Sequence, residues 1–248
     1  MGGTMLTPEG VQFFRTQGYY LNREQLFSPE KLDGLEAIFD EHLADKGDKL
    51  SDELDTPHFR DPRLLDYLLS DEVLDLVERL VGPDIALWTS HFISKDPYVG
   101  RATPWHEDSA YWEGRLSEYD RIVTVWLALG PSNRGNGCMR VIPGTHDNGF
   151  SEYRPVDKSD QTFQLEVTDV DESKAVDFEL ERGQSSLHDG RIMHGAEPNK
   201  SPVRRTGYTM RYFPASVKVL PVEKNAGMNI WLARGQDRAG NTYENAHA

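Results

Sequence analysis

The hydrophobic pattern of this chain changes period at Gly82-Pro83, and that change limits the fold more than any other feature. Ahead of it, apolar residues recur three and four apart, as on one face of a helix. Behind it they come in short β-branched and aromatic runs separated by Gly- and Pro-marked turns. Thr7-Pro8-Glu9 reads as a helix start, with Thr7 as N-cap and Pro8 at the first helical position, and Gly18 as the stop. Ser28-Pro29-Glu30 repeats the signal and leads into Leu32, Leu35, Ile38, Phe39, His42 and Leu43. A third helix begins at Ser70, carries Leu74, Val77, Leu80 and Val81, and ends at Gly82-Pro83. Strands are predicted over Trp88 to Lys95, Ile122 to Leu129, Phe163 to Val167, Val176 to Leu180, Ser185 to Leu187, Ile192 to His194 and Tyr208 to Phe213. Asn136-Gly137 and Pro143-Gly144 mark turns, and Asp157 to Asp160 and Thr168 to Ser173 read as loops. The expectation is a mainly β fold, a sandwich or barrel over residues 84–214, with flanking N-terminal helices over residues 7–82 and a flexible tail from about Gly235.

Bulk properties set the limits around that fold. A chain of 248 residues suits one domain, 1–248, with a sizeable core. A formal net charge of −14 argues against binding nucleic-acid backbone or an anionic membrane through bulk charge. Cys138 is the one cysteine, so no intramolecular disulfide can form, which fits a reducing compartment. Met1 to Leu6 has no apolar run of the signal-peptide kind, and no stretch approaches the roughly 18 apolar residues of a membrane span. These features predict a cytoplasmic protein whose partner is a small molecule.

Two ligands two residues apart on extended chain point to the same side. His106 and Asp108 have that spacing, but eight histidines among 41 acidic residues in 248 produce about one such pair by chance. The pair counts only with support from elsewhere. His194 stands on a late strand, and Arg205 opens the next strand after a polar turn. Two His and one carboxylate make the facial ligand set of non-haem iron(II) sites, which leaves positions for a bidentate co-substrate and O₂. An Arg fork on the neighbouring strand suits a carboxylate in the same cavity. In the run from Ile122 to Leu129, Thr124 and Trp126 share a face, and a polar Thr beside a Trp suits a lined cavity. Tyr111 and Trp112 are candidates for a substrate-pocket wall, with surface packing as the alternative. Arg211 shares strand parity with Arg205 and is a candidate substrate contact or a structural ion pair. Ser90 and Ser94 share a strand face with Phe92, and Ser90 is taken as a pocket candidate. His188 is separated from His194 by an Asp189-Gly190 break and is not expected to bind metal. His42, His58, His91, His146 and His247 are expected to be packing or surface residues.

From Leu6 to about Pro214 the chain resembles the phytanoyl-CoA dioxygenase-like family, which includes ectoine hydroxylases. The resemblance is carried by four motifs in order: Leu6-Thr7-Pro8-Glu9 with Phe14 and Gly18-Tyr19; Trp105-His106-Glu107-Asp108-Ser109-Ala110-Tyr111-Trp112; Asn136-Gly137-Cys138 through Pro143-Gly144-Thr145-His146; and His194-Gly195 with Arg205 eleven residues on. It implies a double-stranded β-helix (jelly-roll, cupin-like) barrel. It further implies Fe(II) bound by His106, Asp108 and His194, and 2-oxoglutarate held by Arg205 rather than the adjacent Arg204, with a hydroxyl near Thr124 touching it. O₂ is the other co-substrate, and a C–H bond of a small metabolite is hydroxylated with release of succinate and CO₂. Relatives that desaturate or form rings keep those outcomes open. Many family members have Ser two residues after the distal His; here that position is Ala196, which removes a hydroxyl from the 2-oxoglutarate site. Asp108 is retained, which argues for hydroxylation over the halogenation of relatives lacking the carboxylate. The chain is short for the family and is expected to lack long lids, favouring a small or partly exposed substrate. The rival readings are a cupin-type metal enzyme without 2-oxoglutarate, which would leave Arg205 without purpose, and a non-catalytic relative.

Overall fold

The helix starts fall where their capping residues put them. In the computed structural model, which describes residues 6–157 and 161–246, the Thr7 hydroxyl accepts from the Gly10 N–H at 3.2 Å and the Ser28 hydroxyl from the Lys31 N–H at 3.3 Å. Each satisfies a first-turn donor that has no partner inside its helix. Gly18 closes the first helix with φ 81°, its N–H bonded to the Phe14 carbonyl at 2.7 Å; this left-handed conformation favours glycine. The helices are α1 (Pro8–Gln17), α2 (Pro29–Ala44), the single turn α3 (Leu65–Leu68), α4 (Asp71–Val81) and α5 (Asp108–Trp112). None is long and apolar enough to cross a membrane.

The strands are β1 (Tyr19–Asn22), β2 (Leu54–Asp55), β3 (Ile85–Lys95), β4 (Thr103–His106), β5 (Val123–Ala128), β6 (Met139–Val141), β7 (Tyr153–Pro155), β8 (Leu165–Val167), β9 (Val176–Asp177), β10 (Ser185–Asp189), β11 (His194–Ala196), β12 (Arg205–Pro214) and β13 (Trp231–Arg234). They build a jelly-roll barrel from two antiparallel sheets. The larger runs β1-β10-β5-β12-β3-β13 with β2 on β3, and the smaller runs β4-β11-β6-β9. Between them Tyr19 of β1 packs with Met139, Val141, Phe178 and Ile192. The β7-β8 hairpin lies outside the smaller sheet, where Tyr153 and Val167 pack with Trp105, Ile142 and Met193.

Strand alternation decides what faces the interior. On its outer face the larger sheet presents Val123, Val125, Leu127, Leu187, Tyr208, Met210 and Tyr212. These pack in one cluster with Leu32, Leu35 and Phe39 of α2 and Leu74 and Val77 of α4. Each such fully buried side chain contributes about 1.5–3 kcal/mol, so this helix-on-sheet layer anchors the fold. The inner face follows from the register. Arg211 lies opposite Thr124 and Thr89, Thr209 opposite Trp126 and His91, and Arg205 opposite Lys95. Across β10, His188 lies opposite Thr124 and Ser186 opposite Trp126.

Several expectations shift. β1, β2 and β13 extend the sheet beyond residues 84–214, because pairing partners far along the chain recruit short segments with no local strand signal. β11 begins at His194 instead of ending there. The segment from Gly235 does not trail away as a flexible tail. Gln236 N–H and Arg238 Nε bond to the Asp84 carboxylate at 2.8 and 2.7 Å, Asn241 Nδ2 bonds to the Val217 carbonyl at 2.8 Å, and Tyr243 packs on the Trp88 cluster. Polar residues hold it, so it lacked the apolar pattern that sequence reasoning reads. Residues 158–160 of the expected loop, residues 1–5 and His247 lie outside the described residues.

Candidate metal centre

β4 runs extended to His106, and Glu107 stays extended (φ −113°, ψ 126°) before α5 begins at Asp108. The alternation that the sequence implied therefore holds. His106 and Asp108 face the interior, while Glu107 turns away to accept bonds from the Ser151 and Tyr153 hydroxyls. On the neighbouring β11, His194 is the register partner of His106. Their rings lie 4.0 Å apart, and His106, Asp108 and His194 offer ligand atoms all within 4.8 Å of one another. All three are buried. His106 Nδ1 lies 2.8 Å from the Pro104 carbonyl and His194 Nδ1 lies 3.0 Å from the Ile192 carbonyl. An Nδ1–H donated to each carbonyl fixes the tautomer and leaves both Nε2 atoms as free donors of an electron pair. Two imidazoles and one carboxylate on one side of a cavity fit a divalent first-row metal ion with open positions. This is the one such cluster among the described residues.

The charges support that use. Burial alone would raise the Asp108 carboxyl, but the Arg211 guanidinium, with His106 and His194, overrides it and holds it well below the usual carboxylate range. Arg211 Nη2 lies 3.1 and 3.3 Å from the two Asp108 oxygens, and its Nε lies 3.3 Å from Oδ2. Burial, then His106, pushes His194 well below its ordinary value, so it stays neutral and able to ligate.

A second feature stands on the larger sheet. Arg205 is 2% exposed, its Nε has no hydrogen-bond partner, and no carboxylate pairs with it among the described residues. Its guanidinium lies over the Trp126 ring at 5.3 Å, and burial pushes it down to about 10. Trp126 lies flat across β12 because Gly207 is there: a Cβ at 207 would sit 2.0 Å from Trp126 Cζ2. The Thr124, Ser186 and His188 side chains each carry a buried polar atom without a partner, and all lie on this inner face. Buried polar groups are normally satisfied; a group of unsatisfied ones beside an unpaired Arg has the donors that an oxygen-rich anion would need. Lys95, opposite Arg205, donates to the Arg101 carbonyl and is itself pushed well down by burial, then by Arg205.

The other candidates divide. Tyr111 stacks near Phe163 at 5.2 Å and His106 at 6.0 Å, and its buried hydroxyl has no partner. Trp112 packs on Trp88 and carries the Arg211 guanidinium over its ring at 5.4 Å. Arg204 points away to Asp96 and Ser94. Ser90 is a correction: it faces the helix layer, bonded to His58 Nδ1 at 2.7 Å and the Tyr208 hydroxyl at 2.8 Å. Ser90 and Phe92 share the outer face with their register partners Met210 and Tyr208, so the parity that brings Arg205 and Arg211 inward excludes Ser90. Ala196 shares the inner face with His194 and offers no hydroxyl. Sequence reasoning missed His188 as a neighbour of the cluster. Its Nε2 lies 4.0 Å from Asp108 Oδ2 and its ring 5.1 Å from His194; what brings it there is its register opposite Thr124, which only the strand pairing shows.

Known proteins share this architecture. The human peroxisomal phytanoyl-CoA dioxygenase is 30% identical over 176 residues, 68% of this chain and 52% of that protein, so the chain spans about half its length. A probable alpha-ketoglutarate-dependent hypophosphite dioxygenase of Stutzerimonas stutzeri is 27% identical over 67% of this chain and 58% of that protein. Among solved structures, the apo non-haem monooxygenase ThoJ superposes with a TM-score of 0.78 at 26% identity, covering 95% of this chain and 87% of that one. The model of the phytanoyl-CoA dioxygenase (PhyH) family matches residues 14–207, a span that contains His106, Asp108, His194 and Arg205, and the chain belongs to that family.

Proposed function

We propose that the chain is an iron(II)- and 2-oxoglutarate-dependent dioxygenase that hydroxylates an unactivated C–H bond of a small organic metabolite, with release of succinate and CO₂. The observation that carries this reading is the pairing, on facing walls of one barrel, of the His106–Asp108–His194 cluster with an unpartnered buried Arg205. Iron(II) with 2-oxoglutarate and O₂ supplies, when bound, the oxidising power for the C–H bond. The protein's share is position and shelter. His106 and His194 present their Nε2 atoms and Asp108 a carboxylate oxygen to the metal. Arg205 offers a planar fork to the distal carboxylate of 2-oxoglutarate, braced by the Trp126 face, and the Thr124 hydroxyl donates a further bond. Tyr111, Trp112 and Arg211 line the substrate side. A metal enzyme without 2-oxoglutarate would bury the Arg205 charge to no end. The whole chain acts as one catalytic domain in this reading, and its single buried thiol, Cys138, supports a cytoplasmic setting.

Purified protein given iron(II), 2-oxoglutarate and ascorbate under air is expected to form succinate slowly even without a substrate. His106→Ala and Arg205→Ala are expected to lose that activity. Wild-type protein that forms neither succinate nor, without oxygen, the visible charge-transfer band of an iron(II)–2-oxoglutarate complex would sink the proposal.

A further inference from the structure

Among the described residues, Arg211 is the inner-face guanidinium paired with a candidate metal ligand. Its fork takes both oxygens of Asp108, and its remaining Nη1 reaches only the Thr89 hydroxyl at 3.5 Å. The proposed function, on which this inference rests, changes that balance. A divalent metal ion is neutralised by Asp108 and the near carboxylate of 2-oxoglutarate. Arg205 is neutralised by the distal carboxylate. The charge left over is that of Arg211, with its side chain 11% exposed and its guanidinium lying over the Trp112 ring. Asp108 shared with a metal ion can no longer occupy the full fork. An uncompensated guanidinium in a low-dielectric cavity is costly and draws an anion. Another carboxylate that feels it is Asp55, which is bonded to His91 Nδ1 at 2.8 Å and is 73% exposed, so it does not fill the cavity. The Tyr111 hydroxyl, buried without a partner and raised by that burial and then by the Asp108 carboxylate, offers a neutral donor on the same side.

We infer that the substrate carries an oxyanion, a carboxylate in the simplest case, and that Arg211 is its receptor beside the metal. Arg211 then determines specificity: it anchors the charged end and leaves the neighbouring C–H bonds facing the metal.

The test uses the full chain loaded with iron(II) and saturating 2-oxoglutarate without oxygen, followed through its charge-transfer band. The probes are straight-chain carboxylates from acetate to decanoate, each beside its primary amide. The expected result is that acids shift the band at concentrations about tenfold or more below their amides. That preference should shrink in Arg211→Lys, which keeps a charge without the fork, and vanish in Arg211→Met. The proposal is overturned by equal responses to acids and amides, by no response to either, or by a preference that survives Arg211→Met. It is also overturned if acids merely abolish the band, since the anion then competes at Arg205. Loss of the band in both variants would make Arg211 a support for Asp108 and would overturn it too. A wild-type protein that forms no band brings down the functional reading itself, whereas a normal band without acid preference brings down this inference alone.

Discussion

Replacing Arg205 by Met is expected to move ligand-free stability and co-substrate affinity in opposite directions. Without ligand, the Arg205 guanidinium is 2% exposed with an unsatisfied Nε, and only the Trp126 face compensates it. Burying an ion costs several kcal/mol, of which a cation–π contact returns about 0.5–2 kcal/mol. Met keeps most of the volume and removes the charge, so the ligand-free variant should gain on the order of 1–3 kcal/mol. For a chain of this size that is a rise of about 2–12 °C in Tm. With 2-oxoglutarate the sign reverses. Two charge-assisted bonds to the distal carboxylate are lost, at about 1.5–3 kcal/mol each, so the Kd should rise about 100-fold or more. Differential scanning of both proteins with and without 2-oxoglutarate, anaerobically and with iron(II), reads both effects. A ligand-free variant that melts below the wild type, together with a 2-oxoglutarate Kd changed by less than about threefold, would show that Arg205 is a packed structural cation, and the reasoning would fail.

Three other outcomes can be checked with standard measurements. Asp108→Ala strands Arg211 and should cost about 3–5 kcal/mol even without metal, while the Asp108→Ala/Arg211→Met double variant should recover most of that in urea unfolding; additive losses would refute the coupling. Burial pushes His58 down to about 3, so the folded protein keeps it neutral while the unfolded chain protonates it near 6.5. Its stabilising effect is complete above that pH and is lost as pH falls from about 6.5 towards 3, at about 1.4 kcal/mol per pH unit descended; His58→Phe should flatten this limb of the stability profile, and an unchanged limb would contradict it. Gly207→Ala puts a Cβ into the Trp126 ring and should cost about 1–3 kcal/mol while weakening 2-oxoglutarate binding; unchanged binding would mean that Trp126 does not brace Arg205.

Much of the His106–Asp108–His194 cluster was legible because it depends on local rules. The His106–Asp108 spacing needed only an extended Glu107, and the likeness of the Arg205 position to the family pattern singled it out. Ser90 shows where this stops. Parity along β3 is readable, but which parity faces inward depends on the pairing of Ser90 with Met210 and of Thr89 with Arg211, over a hundred residues away. His188 was hidden for the same reason: a chain break before His194 looked like separation, yet its partners are Thr124 and Tyr19 on other strands. The N-terminal β1 and the C-terminal β13 are short edge strands completed by partners elsewhere in the larger sheet, so local propensity could not announce them.

The two halves of the site stand on different walls. The candidate metal-ligand cluster belongs to β4, β11 and the start of α5, whereas Arg205, Thr124 and Trp126 belong to β12 and β5. A molecule that touches both must span the gap, and that gap is set by the side chains wedged between the sheets, Tyr19, Met139 and Phe178 among them. Under the proposed function the barrel would thereby work as a ruler for the length of a diacid. An oxo-diacid one methylene shorter or longer than 2-oxoglutarate should be measured and rejected, and trimming a wedge residue, as in Phe178→Leu, should recalibrate the scale before it abolishes binding.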